Sequence, residues 1–350
     1  MNSIVVFGSY GYTGQLIVKE LKKNHHNVIL AGRDEEKLKH QSEQTGYAYE
    51  VADIDNSEAL TRLLSKAKIV IHCAGPFRDT AKQMVAACLK TKTHYTDITG
   101  EFKVFEHLVL YDSAAKKAGI MIMPGVGFDV VPSDCLALHL KNLLPSATHL
   151  QLAFTSLKGG ASRGTALTAA EGLGQGSFIR SGGKLVHTPA ASNVQQINFG
   201  SFTASAVSIP WGDISTAYQS TGIPNIEVFM GMPEKMIKML KWSNNFTWLL
   251  KSKIIKELIK NYINKKITGP SDERRQKGRS HLWGKVWDDK GNSFTSLMET
   301  FDGYTLTAKT SVMIAEKIMK SELLPGFQTP AMAYGPELIL EVENTKRKDL

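Results

Sequence analysis

Three glycines spaced G-x-x-G-x-x-G, Gly8, Gly11 and Gly14, follow directly on a β-branched run at residues 4–7 and precede a helical pattern opened by Leu16, Ile17 and Leu21. Few folds are open to a strand that turns this tightly and re-enters as a helix. Gly8 allows the sharp exit from the strand, Gly11 leaves bare backbone for an approaching pyrophosphate, and Gly14 permits close packing of the helix on the sheet. The helix start then offers N–H groups and a positive dipole end to an anion. The stretch reads as a dinucleotide-binding turn.

The second apolar run, 27–31, ends in Gly32-Arg33-Asp34, roughly twenty residues past the last glycine, where an acid would hold a ribose hydroxyl in an NAD site. Here the position carries Arg33, whose guanidinium pairs with a 2′-phosphate and stacks on adenine, so NADP(H) is expected over NAD(H). Asp34 has two readings, a ligand of the 2′-hydroxyl or the N-cap of the next helix. Strands are predicted at 4–7, 27–31, 47–51, 68–72, 94–98 and 119–123, with helices near 13–23, 34–44, 57–66, 79–91, 102–117 and 133–143. This alternation predicts an α/β domain over 1–144 with a doubly wound parallel sheet, whose ligands bind at the carboxyl ends of the strands.

Those strand ends supply the candidates. Asp53, after the third strand, is placed to meet the adenine amino group, while Asp55 or Asn56 reads as a helix cap. The fourth strand runs into Cys73-Ala74-Gly75-Pro76-Phe77, a stiff turn that brings Phe77 toward the nicotinamide ribose. The fifth gives Tyr95, Asp97 and Glu101, and the sixth leads through Gly125 and Gly127 to Asp129. Tyr95, Asp97 and Asp129 are the acid–base candidates, each with a structural alternative: burial for Tyr95, turn-orienting hydrogen bonds for the two aspartates. Glu101 also reads as dipole compensation in a first helical turn.

In this order and spacing, GSYGYTG (8–14), AGR (31–33), CAGPF (73–77), HYTDITGE (94–101) and GVGFDVVPSD (125–134) resemble the saccharopine dehydrogenase-like family, including its trans-acting enoyl reductases. Gly159-Gly160-Ala-Ser162-Arg163-Gly164-Thr165 and the closing Pro325-Gly-Phe-Gln-Thr329-Pro330 extend the likeness across nearly the whole chain. The resemblance implies an N-terminal Rossmann domain for NAD(P), a second α/β domain, and a reductase acting on a small or lipid-like substrate. By resemblance Gly8, Gly11, Gly14, Arg33 and the Gly75-Pro76-Phe77 turn carry the cofactor, and Tyr10, Tyr12, Thr13, Asp53 and Ala74 complete the expected cofactor set. By analogy with the trans-acting relatives it also suggests a partner synthase. After Phe77 the chain departs from the family pattern with Arg78-Asp79-Thr80, which leaves the nicotinamide pocket and substrate open. A non-catalytic NADP(H)-binding regulator is the alternative.

The second domain, 145–343, is predicted as α+β on a mixed or antiparallel sheet, with strands at 148–156, 184–187, 194–209, 223–231, 280–288 and 293–300. Ser162, Arg163 and Thr165 stand together at a helix start, placed either to bind a substrate carboxylate or phosphate or, for Ser162, simply to cap. Residues 233–266 hold nine lysines against Glu234 and Glu257 and account for most of the formal charge of +9. Their amphipathic pattern, with Trp242, Phe246 and Trp248, fits a core-packing helix with a solvated lysine face or a peripheral membrane contact. Tyr262 and Lys266 match Y-x-x-x-K far from the glycine turn, a coincidence. The tail after Glu343 is expected to fray.

At 42% hydrophobic residues, 350 residues can bury a full core. Three cysteines without ligand spacing predict no metal site and a reduced, cytoplasmic setting, and a strand from residue 4 leaves no room for a leader peptide. No zinc-finger spacing or compact basic motif supports nucleic-acid binding. A homo-oligomer stays open.

Overall fold

The computed structural model describes residues 3–157, 160 and 162–350. They fall into two compact units, Met1–Val131 with Tyr304–Tyr334, and Pro132–Gly303 with Gly335–Leu350.

The first unit is built on parallel strands β1 (Ile4–Phe7), β2 (Val28–Gly32), β3 (Ala48–Val51), β4 (Ile69–His72), β5 (His94–Asp97) and β6 (Met121–Met123). Helices α1 (Tyr12–Lys23), α2 (Glu35–Thr45), α3 (Ser57–Leu64), α4 (Phe77–Thr91), α5 (Phe102–Leu108) and α6 (Asp112–Ala118) connect them. The order is β6-β5-β4-β1-β2-β3, so the winding reverses between β1 and β4 and opens a crevice at their carboxyl ends. Every residue of β1, β4, β5 and β6 is buried; β1, β4 and β6 read as near-continuous apolar runs, while β5 is His-Tyr-Thr-Asp and buries polar groups. The covering helices bury one stripe each, such as Ala59, Leu60, Leu63 and Leu64 of α3. A fully buried leucine contributes about 1.5–3 kcal/mol.

The expected domain boundary near residue 145 differs from the observed one. The chain leaves the first unit at Val131 and returns to it with a helix over Gly303–Met319 and a strand, Gly326–Phe327, that pairs in parallel with β6. Without that strand, β6 would present unpaired backbone groups at the sheet edge. Asp112 holds the strand in place, accepting the Phe327 N–H at 3.0 Å. The returning helix is tied down by Thr310, whose hydroxyl donates to the Val126 carbonyl at 2.8 Å, and by Glu316, which meets Asn24 and His26.

The second unit opens with α7 (Val131–Leu143), placed there by its packing: a side chain at Gly284 would collide with Leu136 and Leu140. Its sheet takes β7 (His149–Leu157), β8 (Ser177–Ser181), β9 (Lys184–Thr188), β10 (Val194–Asn198), β11 (Thr203–Ser208), β12 (Asn225–Gly231), β13 (Arg279–Trp287) and β14 (Ser293–Phe301). Among the described residues only β12 and β7 pair in parallel in this sheet, so it is mixed. The run predicted as one strand over 194–209 is a hairpin, closed where Phe199 N–H meets the Phe202 carbonyl. Helices α8 (Arg163–Gly172), α9 (Asp213–Thr221), α10 (Glu234–Ser243), α11 (Thr247–Leu250) and α12 (Lys253–Lys266) complete the elements used below. The tail is not frayed. Lys346–Asp349 forms an antiparallel strand against β14, held by Ser296 donating to Asp349 at 2.6 Å and by Arg347 donating to the Pro336 carbonyl.

Candidate functional site: a dinucleotide cradle

In the first unit Gly8 adopts φ +80°, and a Cβ there would lie 3.0 Å from the Ala74 Cβ, so the β1 and β4 turns meet at the crevice. Gly14 is the tightest of the three glycines. A Cβ would sit 2.4 Å from the Gly8 carbonyl oxygen and 2.8 Å from that of Ser9, so its role is to let α1 begin against the turn's own carbonyls. Gly11 meets only the Gly8 carbonyl, at 3.1 Å. Gln41 locks the turn from below, accepting the Ser9 hydroxyl at 2.7 Å and donating to the Ser9 carbonyl at 3.0 Å.

The start of α1 differs from its neighbours in chemistry. Helices α2 and α3 begin on capping side chains, Asp34 and Asn56, while α1 begins on Gly11 with no side-chain cap and no acid in its first turn. That is a helix end suited to an anion, and Tyr10, Tyr12 and Thr13 stand around it. Tyr12 packs edge-on against Tyr304 of the returning helix, with ring centroids 5.0 Å apart.

At the end of β2, Arg33 is exposed and makes no hydrogen bond or ion pair among the described residues. Asp34 accepts the Lys37 N–H at 3.2 Å and its ammonium at 2.6 Å, and these contacts hold its carboxyl below the usual range. Of its two readings the cap is therefore the observed one. Lys37 lies 5.6 Å over the Tyr10 ring, and Tyr10 in turn occupies the space a side chain at Gly32 would need. The residues present fit an NADP(H) adenosine end: a free guanidinium, a second cation and no acid left to take a 2′-hydroxyl. Asp53 is exposed and accepts the Asp55 N–H at 3.0 Å, and Asn56, not Asp55, caps α3.

The turn Ala74-Gly75-Pro76-Phe77 lies at the end of β4, with a cis Gly75–Pro76 peptide. Thr80 braces it by donating to the Ala74 carbonyl at 2.9 Å. Glu101 occupies the start of α4, accepting the N–H groups of Phe77 at 2.9 Å and Arg78 at 3.3 Å, and burial raises its carboxyl. The helix end is thus neutralised from within the protein. Beneath it, His72 packs among Phe7, Phe77 and Tyr95, and burial lowers its imidazole to about 3, so it is neutral.

The acid–base candidates separate clearly. Tyr95 is buried and donates to Asp97 at 2.5 Å, and desolvation with the neighbouring carboxylate pushes its phenol well upward. Asp97 also accepts the N–H groups of Thr99 and Gly125, each at 2.9 Å. Burial raises its carboxyl to about 6 against the pull of those bonds. Both residues are thus engaged in joining the β5 and β6 turns. Asp129 is partly exposed and has no hydrogen-bond or ion-pair partner among the described residues. It lies against Gly100, where a Cβ would fall 2.4 Å from its carboxylate, and loss of water raises it to about 7.

The loop bearing Asp129 is fixed from the returning helix: Thr307 accepts the Phe128 N–H at 3.0 Å and fills the space a side chain at Gly127 would need. Tyr304, Thr307, Lys37 and Gln41 are contributors that sequence reasoning missed. The first two stand some 170 residues or more from the loops they serve, and no local pattern marks them.

In the second unit, Ser162 caps α8 by accepting the Thr165 N–H at 3.2 Å, and the two hydroxyls lie 3.1 Å apart. Arg163 donates to the Ile267 carbonyl at 3.2 Å. Gly159 and Ala161 of this motif lie outside the described residues. Among the described residues no cluster of His, Cys, Asp or Glu has metal-site geometry, and no helix is long and apolar enough to cross a membrane.

Fold and cradle define a nicotinamide-dinucleotide-binding α/β protein with a second, mixed-sheet unit. Residues 4–123 match the family model of the saccharopine dehydrogenase NADP binding domain. Over 160 residues the chain is 31% identical to a saccharopine dehydrogenase-like oxidoreductase of Mus musculus, covering 40% of this chain and 37% of that protein. A trans-acting enoyl reductase of Mycobacterium ulcerans is 29% identical over 200 residues, 53% of this chain and 48% of that one. The chain thus spans less than half the length of these curated relatives. The fold is that of apo saccharopine dehydrogenase (L-Glu forming) from Saccharomyces cerevisiae, matched over the full length of both chains with a TM-score of 0.70 at 14% identity.

Proposed function

We propose that the chain is an NADP(H)-dependent oxidoreductase that moves a hydride between the nicotinamide and a C=C, C=N or C=O group of a small or amphiphilic substrate. The observation that carries this reading is the uncapped start of α1 on its glycine turn, with Arg33 unpaired at the end of β2. The names of the relatives, oxidoreductase and enoyl reductase, support it. When bound, the dinucleotide supplies the hydride chemistry.

The protein's own residues do the rest. The first turn of α1 binds the pyrophosphate, and Arg33 with Lys37 neutralises the 2′-phosphate. The Gly75–Phe77 turn and the Tyr12–Tyr304 pair orient the ligand above the sheet. Asp129 holds or accepts the proton that accompanies the hydride. A carboxyl raised to about 7 is divided between its two forms near neutrality, the condition for general acid–base work.

The test is a titration of the full chain with NADPH and NADH followed by nicotinamide fluorescence, and then a screen of enoyl, imine and carbonyl substrates for loss of nicotinamide absorbance. Tight NADPH binding with weak NADH, followed by turnover that Asp129→Asn abolishes, is the expected result. Binding of neither dinucleotide overturns the reading. Binding without turnover on any class would favour the non-catalytic NADP(H) regulator.

A further inference from the structure

Segment 233–266 carries apolar side chains in solvent beside its lysines. A lysine face in solvent and an apolar face in the core would be the ordinary arrangement. On α12, where Ile263 is buried, Lys256 donates to the Glu171 carbonyl at 2.8 Å and Lys260 pairs with the Glu171 carboxylate. Ile254, Leu258 and Tyr262, spaced i, i+4, i+8 and so on one stripe, are 72%, 60% and 64% exposed. The pattern continues upstream, where Trp242 and Trp248 are 63% and 72% exposed while Ile237 alone of α10 is buried. Half of the large exposed hydrophobic residues among those described lie in this tenth of the chain. Scattered exposed apolar side chains need no explanation, but a contiguous set does.

We infer that α10, α11 and α12 form a shallow docking surface for an anionic lipid bilayer. Seven of the nine lysines remain exposed around the apolar stripe, with no ion pair among the described residues and only Glu234 and Glu257 to offset them. A second copy of the chain would bring seven lysines against seven, a like-charge contact that opposes association. An anionic membrane meets both features at once: phosphates take the lysines, and Trp242, Trp248 and Tyr262 sit at headgroup level with the aliphatic stripe just below. Lys251 and Lys265 at the rim limit the depth to the interface.

The experiment is flotation of the full chain with phosphatidylcholine vesicles with and without phosphatidylserine, read alongside tryptophan emission. Binding is expected only with phosphatidylserine, with a blue shift, and weakening as salt rises. The triple variant Lys235→Gln, Lys238→Gln, Lys253→Gln is expected to lower the partition by about 10²-fold, at about fivefold per lysine. Trp248→Ser with Ile254→Ser and Leu258→Ser is expected to abolish binding at unchanged charge. All six positions are exposed, and far-UV circular dichroism confirms that each variant is folded. Equal binding to both vesicle types, binding to neither, or a self-association that only the serine variant dissolves would each overturn the inference. None of these readouts depends on cofactor or turnover, so the redox proposal stands or falls separately.

Discussion

Replacing Asp129 by asparagine keeps the shape of the side chain and removes its charge. In the folded protein the carboxyl is raised from an ordinary 3.8 to about 7, with desolvation as the cause. Between those two values the folded state holds a proton that the unfolded chain has released. The contribution of Asp129 to stability therefore falls as pH rises through that window and is flat above it. At about 1.4 kcal/mol per pH unit the full difference is on the order of 4 kcal/mol, and partial exposure screens it to about 1–2 kcal/mol. Urea unfolding of wild type and Asp129→Asn from about pH 3 to about pH 9, a range that brackets both values, is the assay. The variant should match the wild type at the acid end and exceed it by about 1–2 kcal/mol above neutrality, while losing turnover. Parallel stability curves would refute the raised carboxyl, and retained turnover would remove Asp129 from the chemistry.

Gly14→Ala should fold with lower stability, by about 1–3 kcal/mol, and bind NADPH about tenfold or more weaker, because its methyl group meets the Gly8 and Ser9 carbonyls, measured by urea melts and fluorescence titration. Arg33→Ala should weaken NADPH by about 1.5–3 kcal/mol and leave NADH unchanged, and an equal loss for both would make Arg33 structural. Asp97→Asn should cost about 1–3 kcal/mol of stability, since the amide keeps one oxygen for the Thr99 and Gly125 N–H groups but turns an NH2 group that cannot accept toward the Tyr95 hydroxyl, and an unchanged urea midpoint would contradict that role.

The sequence determined the first unit up to Met123 and its cofactor because the controlling interactions there are local. Buried parallel strands such as β1 are apolar, a phosphate turn must be glycine-rich, and Asp34 caps a helix that begins one residue later. The position of Arg33 just after β2 was legible for the same reason. Separating Tyr95 and Asp97 from Asp129 was not, because all three are acids or phenols at strand ends, and only the placement of Thr99, Gly125 and Gly100 decides which carboxylate is engaged and which is left unpaired. The return of Tyr304–Tyr334 to the first sheet was equally invisible: an edge strand of two residues has no periodicity, and its partner β6 lies some two hundred residues earlier. The lysine-rich segment is the sharpest contrast. Its apolar side chains lie on more than one side of α12, and the structure buries Ile263, ties Lys256 and Lys260 to Glu171 of α8, and leaves Ile254, Leu258 and Tyr262 in solvent, a choice made by a helix some 85 residues earlier.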